Sequence, residues 1–283
     1  MIHELIEKIV KAKSELPAAQ RLVAAYVMDN CYQIPFLSIT TLAKNIGVSE
    51  TTVIKFCTQM GFGSFAEFKK AFSESVHSEL VMTRRISEIA EVEQESDSLF
   101  SRVSEEAVAN IQETLSNPIN RQSLEKLLPM MKEAHSIYML GGRSSEFLSE
   151  YFAHTLRYLG LPVQTIGGGL SDQFDKISLI GPQDLVIVTC FQRYTSLIIE
   201  LLQDLLSRGV PIVLITDQGP SPAVPYANLV FYCSVASTGY FLCYSSYMAL
   251  TNVIGTAAAA YFENAADYVR ELEQKLLRLG VFI

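Results

Sequence analysis

The sequence predicts two domains of different classes, an all-α domain at the N-terminus and an α/β domain with a five-stranded parallel sheet after it. Two observations predict this division. Residues 1–88 carry 10 basic and 9 acidic side chains, whereas residues 89–283 carry 12 and 21, so the second part holds the net negative charge. The hydrophobic pattern also changes, from short helical repeats before residue 75 to alternating strands and helices after Ala134. A chain of 283 residues is long enough for two such domains.

Five short helices are expected in the first domain. The first helix carries apolar residues at helical spacing from Ile2 to Val10, and the second begins at Pro17, which suits a first helical turn. Glycines separate the later helices. Those three helices are expected over Ser38–Asn45, Ser49–Met60 and Ser64–Ser75.

The second domain is expected to alternate strands and helices, as in a parallel sheet covered on both faces. The predicted strands are Ser136–Leu140, Pro162–Ile166, Leu185–Cys190, Pro211–Thr216 and Leu229–Cys233. The predicted helices are Ser145–Leu159, Thr195–Arg208, Tyr240–Tyr261 and Asn264–Leu279, and residues 78–134 before the first strand are also expected to be helical. We therefore expect a first domain over 1–77, a helical linker over 78–110 and a second domain over 111–283.

Residues 218–262 contain no charged or histidine side chain, and their part 239–262 is long enough to span a bilayer. This part contains serine, threonine and asparagine and has no basic flank close by, so we interpret it as a buried helix and expect no membrane partner. The first residues show no basic segment followed by an apolar one, so we expect no secretory signal and a cytoplasmic location. Five widely spaced cysteines and four scattered histidines predict no disulfide framework and no zinc site, and we expect no cofactor.

Residues 37–60 carry the pattern of a helix-turn-helix. Gly47 stands where the turn requires a positive φ, and Ser49 is positioned to cap the second helix. Val53 and Phe56 share the face that packs against the first helix. The residues predicted to contact base edges and phosphates of double-stranded DNA are Lys44, Ser49, Glu50, Thr51, Thr52, Lys55 and Gln59.

The alternative interpretation of this segment is an ordinary corner of two helices with a polar outer face. Two threonines and a lysine near the start of a capped helix favour DNA binding, because a helix N-terminus also binds phosphate. The near-neutral charge of residues 1–88 points the same way. Lys69 and Lys70 either touch backbone phosphates or form a solvated face.

Two loops of the second domain predict an anion pocket. Residues 141–145 follow the first strand and residues 189–195 follow the third, and in open parallel sheets ligands bind at such strand ends. Both loops hold hydroxyls and an arginine and precede a helix, but neither has the spacing of a dinucleotide or P-loop motif. The alternative is two ordinary turns whose hydroxyls cap helices. The predicted effector-binding residues are Gly142, Ser144, Ser145, Cys190, Gln192, Arg193, Tyr194 and Thr195.

The order of these features resembles the RpiR-type family of bacterial transcription regulators, which join a helix-turn-helix domain to a sugar isomerase (SIS) domain. Residues 46–57 and 60–69 look like the DNA-binding signature of that family, and the resemblance covers nearly the whole chain. It implies a flavodoxin-like sandwich for the second domain and self-association of the SIS domains into a dimer or tetramer. It also implies control of carbohydrate-metabolism genes.

The sequence departs from the family pattern in two places. Lys55 stands where the family usually has arginine, which keeps the charge but loses the bidentate fork for guanine. Ser145 matches the serine of the first loop, but the second loop, which reads Ile-Ser-x-Ser-Gly-x-Thr in sugar-phosphate binders, retains only Thr195. Arg193 and Tyr194 resemble a subgroup of regulators with an Arg-Tyr pair. Arg193 either supplies a charge-assisted contact in place of the lost hydroxyls or fills the site and leaves it without a ligand.

Three functions stay open from the sequence. The first is a DNA-binding regulator that senses a small anionic metabolite, most simply a phosphorylated sugar, and responds by altering the placement of its DNA-binding domains. The second is a phosphosugar isomerase, which needs a base near the substrate carbon. We expect no catalysis, because the uncharged residues after the fourth strand leave only distant carboxylates: Glu146, Glu150, Asp172 and Asp175. The third is a scaffold with a vestigial pocket.

Overall fold

The structure is a computed structural model that describes residues 2–13, 16–31, 34–79, 96–167, 170–219 and 221–281. The chain divides into two compact units, 1–92 with 219–222 and 93–218 with 223–283. Of the expected linker, residues 80–95 lie outside the described residues, and residues 96–110 form part of a longer helix of the second unit.

The regular elements in the described part of the first unit are all helices. Its helices are α1 (Ile2–Ala12), α2 (Ala18–Asp29), α3 (Ile39–Ile46), α4 (Glu50–Gln59) and α5 (Phe65–Glu79), with a 3₁₀ turn at Ile34–Phe36. The expected positions of all five are confirmed to within a few residues.

Aromatic and aliphatic side chains form the core of this unit. Leu42 of α3 and Phe56 of α4 are completely buried, as the spacing of the helix-turn-helix predicts. The ring of Phe68 packs edge-on against Phe56 at 5.8 Å and against Phe62 at 5.2 Å between centroids. Each such burial contributes ~1.5–3 kcal/mol to folding, so this cluster holds α4 at a defined angle on the domain.

The second unit alternates strands and helices around one sheet. Its elements are α6 (Ser96–Ser116), α7 (Pro118–Glu133), β1 (Ile137–Gly141), α8 (Ser144–Arg157), β2 (Val163–Ile166), α9 (Leu170–Ser178), β3 (Leu185–Thr189), α10 (Ser196–Ser207), β4 (Ile212–Asp217), β5 (Leu229–Cys233), α11 (Ser245–Tyr261) and α12 (Ala265–Arg278). The strands are all parallel in the order β2-β1-β3-β4-β5. This confirms the five-stranded parallel sheet and its flavodoxin-like order. Every residue of β3 and β4 is buried, as expected of strands covered on both faces.

Two helices differ from the expectation. Helix α9 is not among the predicted elements, because the glycine run at 167–169 precedes it and its nine residues give few helical repeats. Helix α11 begins at Ser245 rather than at Tyr240. The preceding aromatic residues are held outside the helix by ring contacts and by a hydrogen bond between Tyr244 and Ser144, so tertiary contacts override the local pattern.

The long uncharged stretch contains a helix that is buried along one face, whereas its residues Asn252, Val253 and Ala259 are exposed. Helix α11 buries Tyr247, Leu250, Ile254 and Ala258 in the core of the second unit. Among the residues that the structure describes, no helix is long and apolar enough to cross a membrane.

Candidate functional site

The turn between α3 and α4 has the geometry that the helix-turn-helix pattern predicts. Gly47 adopts a φ of 78° and its N–H donates to Ala43 O at 3.0 Å, which ends α3. Ser49 Oγ accepts a hydrogen bond from the N–H of Thr52 at 3.2 Å and caps α4. The structure therefore confirms Gly47 as the turn glycine and Ser49 as the cap of α4, and the DNA contact of Ser49 stays a prediction.

The exposed face of α4 presents three of the predicted DNA-contacting side chains in one line. Thr51, Lys55 and Gln59 recur at a spacing of four residues and are all exposed, as is Lys44 on α3. Ile54 is also 45% exposed on this helix, and it is not among the residues predicted to contact DNA. Its position one residue after the buried Val53 was a usable signal, and an aliphatic side chain there can contact a thymine methyl group.

Besides Ser49, two of the predicted residues have partners inside the motif itself. Glu50 Oε1 accepts a hydrogen bond from Thr40 Oγ1 at 2.6 Å, which joins α4 to α3. Thr52 is half-buried, and its hydroxyl lies 2.9 Å from Ser49 Oγ. These two side chains therefore stabilise the motif, and the outward line of Thr51, Lys55 and Gln59 is the part directed at solvent.

In the second unit, the loops after β1 and β3 meet where the strand order reverses. Gly141 pairs with Thr189, so both strands end at the same level. A Cβ at Gly141 would lie 2.3 Å from the Ser145 carbonyl oxygen, so only glycine lets α8 begin this close to the strand. A Cβ at Gly142 would lie 3.5 Å from Thr195 Oγ1, so the two predicted loops lie close together.

Each of these loops holds an arginine in the left-handed region. Arg143 has a φ of 57° and Arg193 a φ of 74°, and among the described residues no other non-glycine residue has a positive φ. Such a conformation costs ~1–3 kcal/mol and is found preferentially where a loop binds a ligand. Arg143 is exposed, Arg193 is half-buried, and both precede the first turn of a helix.

A buried carboxylate lies beside the second loop. Tyr194 donates to both oxygens of Asp217, at 2.7 and 2.8 Å, and Asp217 is 3% exposed at the end of β4. Burial raises the pKa of this carboxyl, and hydrogen bonds from Tyr194, Thr216 and the Gln192 backbone N–H lower it in part. The prediction that only distant carboxylates remain after the fourth strand is wrong, because Asp217 lies at the end of that strand. Its place at the end of an apolar strand was the available signal.

Tyr244 links the two loops and was also missed. Its hydroxyl lies 3.1 Å from Ser144 Oγ in the first loop, and its ring lies 5.5 Å from that of Phe191 in the second. Burial raises the pKa of this phenol, and the hydrogen bond with Ser144 and the positive charge of Arg193 oppose the rise. The expectation that α11 begins at Tyr240 concealed this residue, because a helical Tyr244 would have belonged to the core.

The structure thus brings together the two loops but not all of their predicted side chains. Gly142, Ser144, Arg193 and Thr195 lie where the loops meet, and Ser145 is buried at the start of α8. The Thr195 side chain makes no capping hydrogen bond to α10. The remaining three predicted residues are not directed to the meeting point of the loops. The Gln192 side chain is exposed, the Tyr194 hydroxyl donates to Asp217, and the Cys190 thiol is buried. Burial and the charge of Asp217 raise the pKa of that thiol to about 12, which keeps it protonated.

A cavity of about 160 Å³ opens on the other side of the first loop, at the ends of β1 and β2. Glu146, Ser149, Glu150 and Thr165 line it together with apolar residues, and none of the predicted effector-binding residues does. Ser149 Oγ is buried there without a hydrogen-bond partner among the described residues.

Both halves of the chain match known families. Residues 3–79 match the helix-turn-helix domain of the rpiR family, and residues 130–261 match the SIS domain. An uncharacterized HTH-type transcriptional regulator of Haemophilus influenzae is 25% identical over 227 residues, which cover 80% of this chain and 78% of that protein. The HTH-type transcriptional regulator HexR of Pseudomonas aeruginosa is 23% identical over 216 residues, covering 76% and 74% of the two chains.

Solved structures show the same fold. The Vibrio vulnificus NanR protein complexed with ManNAc-6P superposes with a TM-score of 0.64 at 19% identity, over 97% of this chain and 98% of that one. The sugar isomerase domain of the RpiR transcription factor from Sphaerobacter thermophilus has a TM-score of 0.58 at 23% identity, over 62% of this chain and 98% of that one. An rpiR-family helix-turn-helix domain is therefore followed by a SIS domain, and the chain belongs to the RpiR-type transcriptional regulators.

Proposed function

We propose that this regulator acts in the cytoplasm and that its SIS domain senses a small anionic metabolite, most simply a phosphorylated sugar. The observation that carries the proposal is the meeting of the two loops at the switch point of the sheet, with Ser144, Arg193 and Thr195 around it. Hydroxyls, an arginine and two helix N-termini are the groups that bind a phosphate. The fold shared with the NanR protein, whose structure is described as a complex with ManNAc-6P, supports this class of ligand.

On the DNA side, we propose that α4 lies in the major groove. Thr51, Lys55 and Gln59 contact base edges or phosphates from its exposed line, and Lys44 contacts a phosphate. A lysine at position 55 gives one point contact where an arginine would give two parallel hydrogen bonds, so we expect a tolerant base preference at that position.

The signal has a physical route within the second unit. Helix α6 is hydrogen-bonded to the segment after β5 through Asn110. Its Nδ2 donates to Ala236 O at 2.8 Å, and its Oδ1 accepts from Ser234 Oγ at 2.8 Å. Glu106 also accepts from the N–H of Thr238 at 2.7 Å. The same segment continues to Tyr244, which contacts both loops. Effector binding can therefore bias the position of α6, provided that the two states bind the effector with different affinity.

Selection of sheared genomic DNA by the full-length protein at near-physiological salt, followed by sequencing, tests the DNA half of the proposal. Lys55→Glu is the test variant, and Lys126→Glu, an exposed lysine of α7, is the matched control. We expect a few enriched sites with inverted-repeat half-sites for the wild type and Lys126→Glu, and their loss in Lys55→Glu. Diffuse enrichment that is equal in all three proteins contradicts sequence reading by α4, because phosphate attraction alone is sequence-blind.

The enriched fragments then serve to test the sensor half. A panel of sugar phosphates is added, and the operator affinity and the thermal stability of the protein are measured. We expect at least one compound to change both, and Arg193→Ala to abolish the change. A panel in which no compound alters either quantity contradicts sensing and favours a vestigial pocket.

An isomerase is the second candidate, because Asp217 is a buried carboxylate with a raised pKa beside the loops. Both of its oxygens accept hydrogen bonds from Tyr194, so the carboxylate is already engaged. We expect no aldose–ketose turnover with the sugar phosphates that bind. Turnover that disappears in Asp217→Asn, with binding retained, would establish the enzyme instead.

A further inference from the structure

The five residues Tyr240–Tyr244, between β5 and α11, carry a line of aromatic rings, of which the proposed sensing role involves only Tyr244. We name them the aromatic segment. Tyr240 lies 6.0 Å from Phe241 between ring centroids, and Phe241 lies 6.0 Å from Tyr244. The Tyr244 ring in turn lies 5.5 Å from Phe191 of the second loop. The rings therefore form a continuous path from the surface to the effector loops.

Exposure changes along this path. Phe191 is 4% exposed, whereas Phe241 is 37% and Tyr240 is 56% exposed. The inner rings belong to the core, but the outer two leave apolar surface in water beside a polar site. The Tyr244 hydroxyl on this line is influenced by the positive charge of Arg193 and, in the opposite sense, by the negative charge of Asp217.

The chemistry of the two neighbouring surfaces defines what fits them. The loops offer a hydroxyl and a guanidinium to an anionic group, and the aromatic segment offers ring faces to an apolar one. A pyranose 6-phosphate has both, because one face of the sugar ring presents C–H groups and its phosphate lies at the end of a short arm. The negative face of an aromatic ring attracts such C–H groups. A nucleotide is a poorer match, because neither loop has a nucleotide-binding glycine pattern.

We propose that Phe241 and Tyr240 form a wall of the effector site on which the ring of a phosphorylated pyranose lies while its phosphate contacts the Ser144 and Arg193 loops. The proposal rests on the anion-sensing function proposed above. It adds a binding surface for the sugar ring, which the two loops do not contact. The wall distinguishes ring sugars from open-chain or ring-free phosphates that present the same anion.

Binding measurements on the full-length protein test this assignment. The probes are a panel of pyranose 6-phosphates, glycerol 3-phosphate, inorganic phosphate and adenosine monophosphate, titrated calorimetrically. The variants are Phe241→Ala and Tyr240→Ala, with Phe174→Ala as the matched control because Phe174 is 51% exposed on α9. We expect Phe241→Ala to weaken the tightest pyranose phosphate by roughly fivefold or more, while glycerol 3-phosphate and inorganic phosphate change by less than about twofold.

A spectroscopic variant gives a second readout that does not depend on a loss of affinity. The sequence contains no tryptophan, so Phe241→Trp carries the only indole in the protein. We expect its emission to change on addition of the pyranose phosphate and not on addition of inorganic phosphate. Phe174→Trp is expected to respond to neither.

The outcomes separate the wall from the sensing function. Binding of inorganic phosphate or glycerol 3-phosphate with equal affinity in all variants, and no tighter binding of any pyranose phosphate, overturns the wall and leaves anion sensing intact. Preference for adenosine monophosphate also overturns it. An unchanged sugar affinity together with weaker self-association of Phe241→Ala in sedimentation overturns it in favour of a contact between subunits. Absence of binding by every probe contradicts the sensing function itself and therefore also the assignment of Phe241 and Tyr240 to a binding surface.

Discussion

Gly47 occupies the turn of the DNA-binding motif at a φ of 78°, and nothing lies within 4 Å of the position where a Cβ would stand. The cost of a side chain there is therefore conformational and not steric. We expect Gly47→Ala to destabilise the α3–α4 turn by ~1–2 kcal/mol, the cost of the left-handed region for an L-residue. Hydrogen–deuterium exchange of peptides covering 39–60 measures this as faster exchange.

Gly47→Asn is the matched comparison, because asparagine tolerates the left-handed region better than alanine does. We expect its exchange to fall between those of the wild type and the alanine variant. Equal protection in all three proteins would show that the turn does not depend on a positive φ at this position.

Tyr194 and Asp217 form a pair whose stability depends on pH. Burial raises the folded-state pKa of Asp217 above its ordinary value of 3.8, so the folded protein binds a proton more readily than the unfolded chain. The contribution of Asp217 to the free energy of unfolding is therefore most favourable at low pH. It declines as the pH rises from the ordinary carboxyl pKa through the folded-state pKa. Tyr194→Phe removes the hydroxyl that lies within hydrogen-bond distance of both carboxylate oxygens, and its loss raises that pKa further.

We expect Tyr194→Phe to lower the free energy of unfolding by ~1.5–3 kcal/mol at pH 7, the range for hydrogen bonds to a charged group, and by less at pH 4. Denaturant unfolding at both pH values, followed by circular dichroism, measures the difference. Tyr226→Phe is the control, because the Tyr226 hydroxyl accepts from Gln203 at an exposed position. A loss that is the same at both pH values would contradict the role assigned to the carboxylate.

At the residue scale, the sequence predicted the DNA-binding motif better than the effector site. Gly47 and Ser49 act through local backbone geometry, which a few neighbouring residues determine. Asp217 and Tyr244 reach the site through the ends of β4 and of the segment after β5, which are 23 and 50 residues from Tyr194 in the sequence. Contacts at that separation depend on the packing of the sheet, and no spacing rule reveals them.

At the scale of elements, α6 connects the region before the SIS domain to the segment that carries Tyr244. Asn110 is 2% exposed and makes two hydrogen bonds to residues 234 and 236, and Thr114 Oγ1 accepts from the N–H of Ser234 at 2.9 Å. Asn110→Ala leaves buried polar groups of that segment without their partner. If this contact transmits the signal, the variant still binds the effector, but the effector changes operator affinity less than in the wild type.

We therefore expect Asn110→Ala to bind the effector within about twofold of the wild type and to reduce the effector's influence on operator affinity by about threefold or more. Asn252→Ala, an exposed asparagine of α11, is the matched control. Both quantities come from titrations of labelled operator with and without the sugar phosphate. An undiminished response in Asn110→Ala would mean that the signal does not pass through this contact.

The elements themselves were predictable where their pattern was long or strongly apolar. The strands β3 and β4 are buried on both faces and read as apolar runs, and their predicted ends differ from the observed ones by one residue. Helix α9 and the start of α11 were not predictable, because one is short and follows glycines and the other is shortened by ring contacts with Phe191. Local propensity decides an element only where tertiary contacts do not compete with it.

At the scale of the whole molecule, the two units divide the chemistry as the charge division predicts. Residues 1–88 have a net charge of +1 and contain the helix-turn-helix, whereas residues 89–283 have a net charge of −9 and contain the SIS domain. An acidic domain attracts a phosphorylated ligand only through local groups such as Arg193, and it repels DNA at long range. We therefore expect DNA contact to be concentrated on the first unit.

Coupling between the two units must be reciprocal if the chain senses a metabolite. An effector that changes operator affinity by a given factor requires the operator to change effector affinity by the same factor, and such factors are typically about 5 to 150. We expect calorimetric titration of the sugar phosphate into the protein, with and without saturating operator, to give the same ratio as operator titrations with and without the sugar phosphate. We expect Lys55→Glu to weaken the operator complex. In this variant the operator should no longer change the affinity for the sugar phosphate, whereas that affinity in the absence of operator should equal the wild-type value. Two unequal ratios would show that the sugar phosphate acts at a second place, for example on the DNA-binding unit itself, and not through the SIS domain alone.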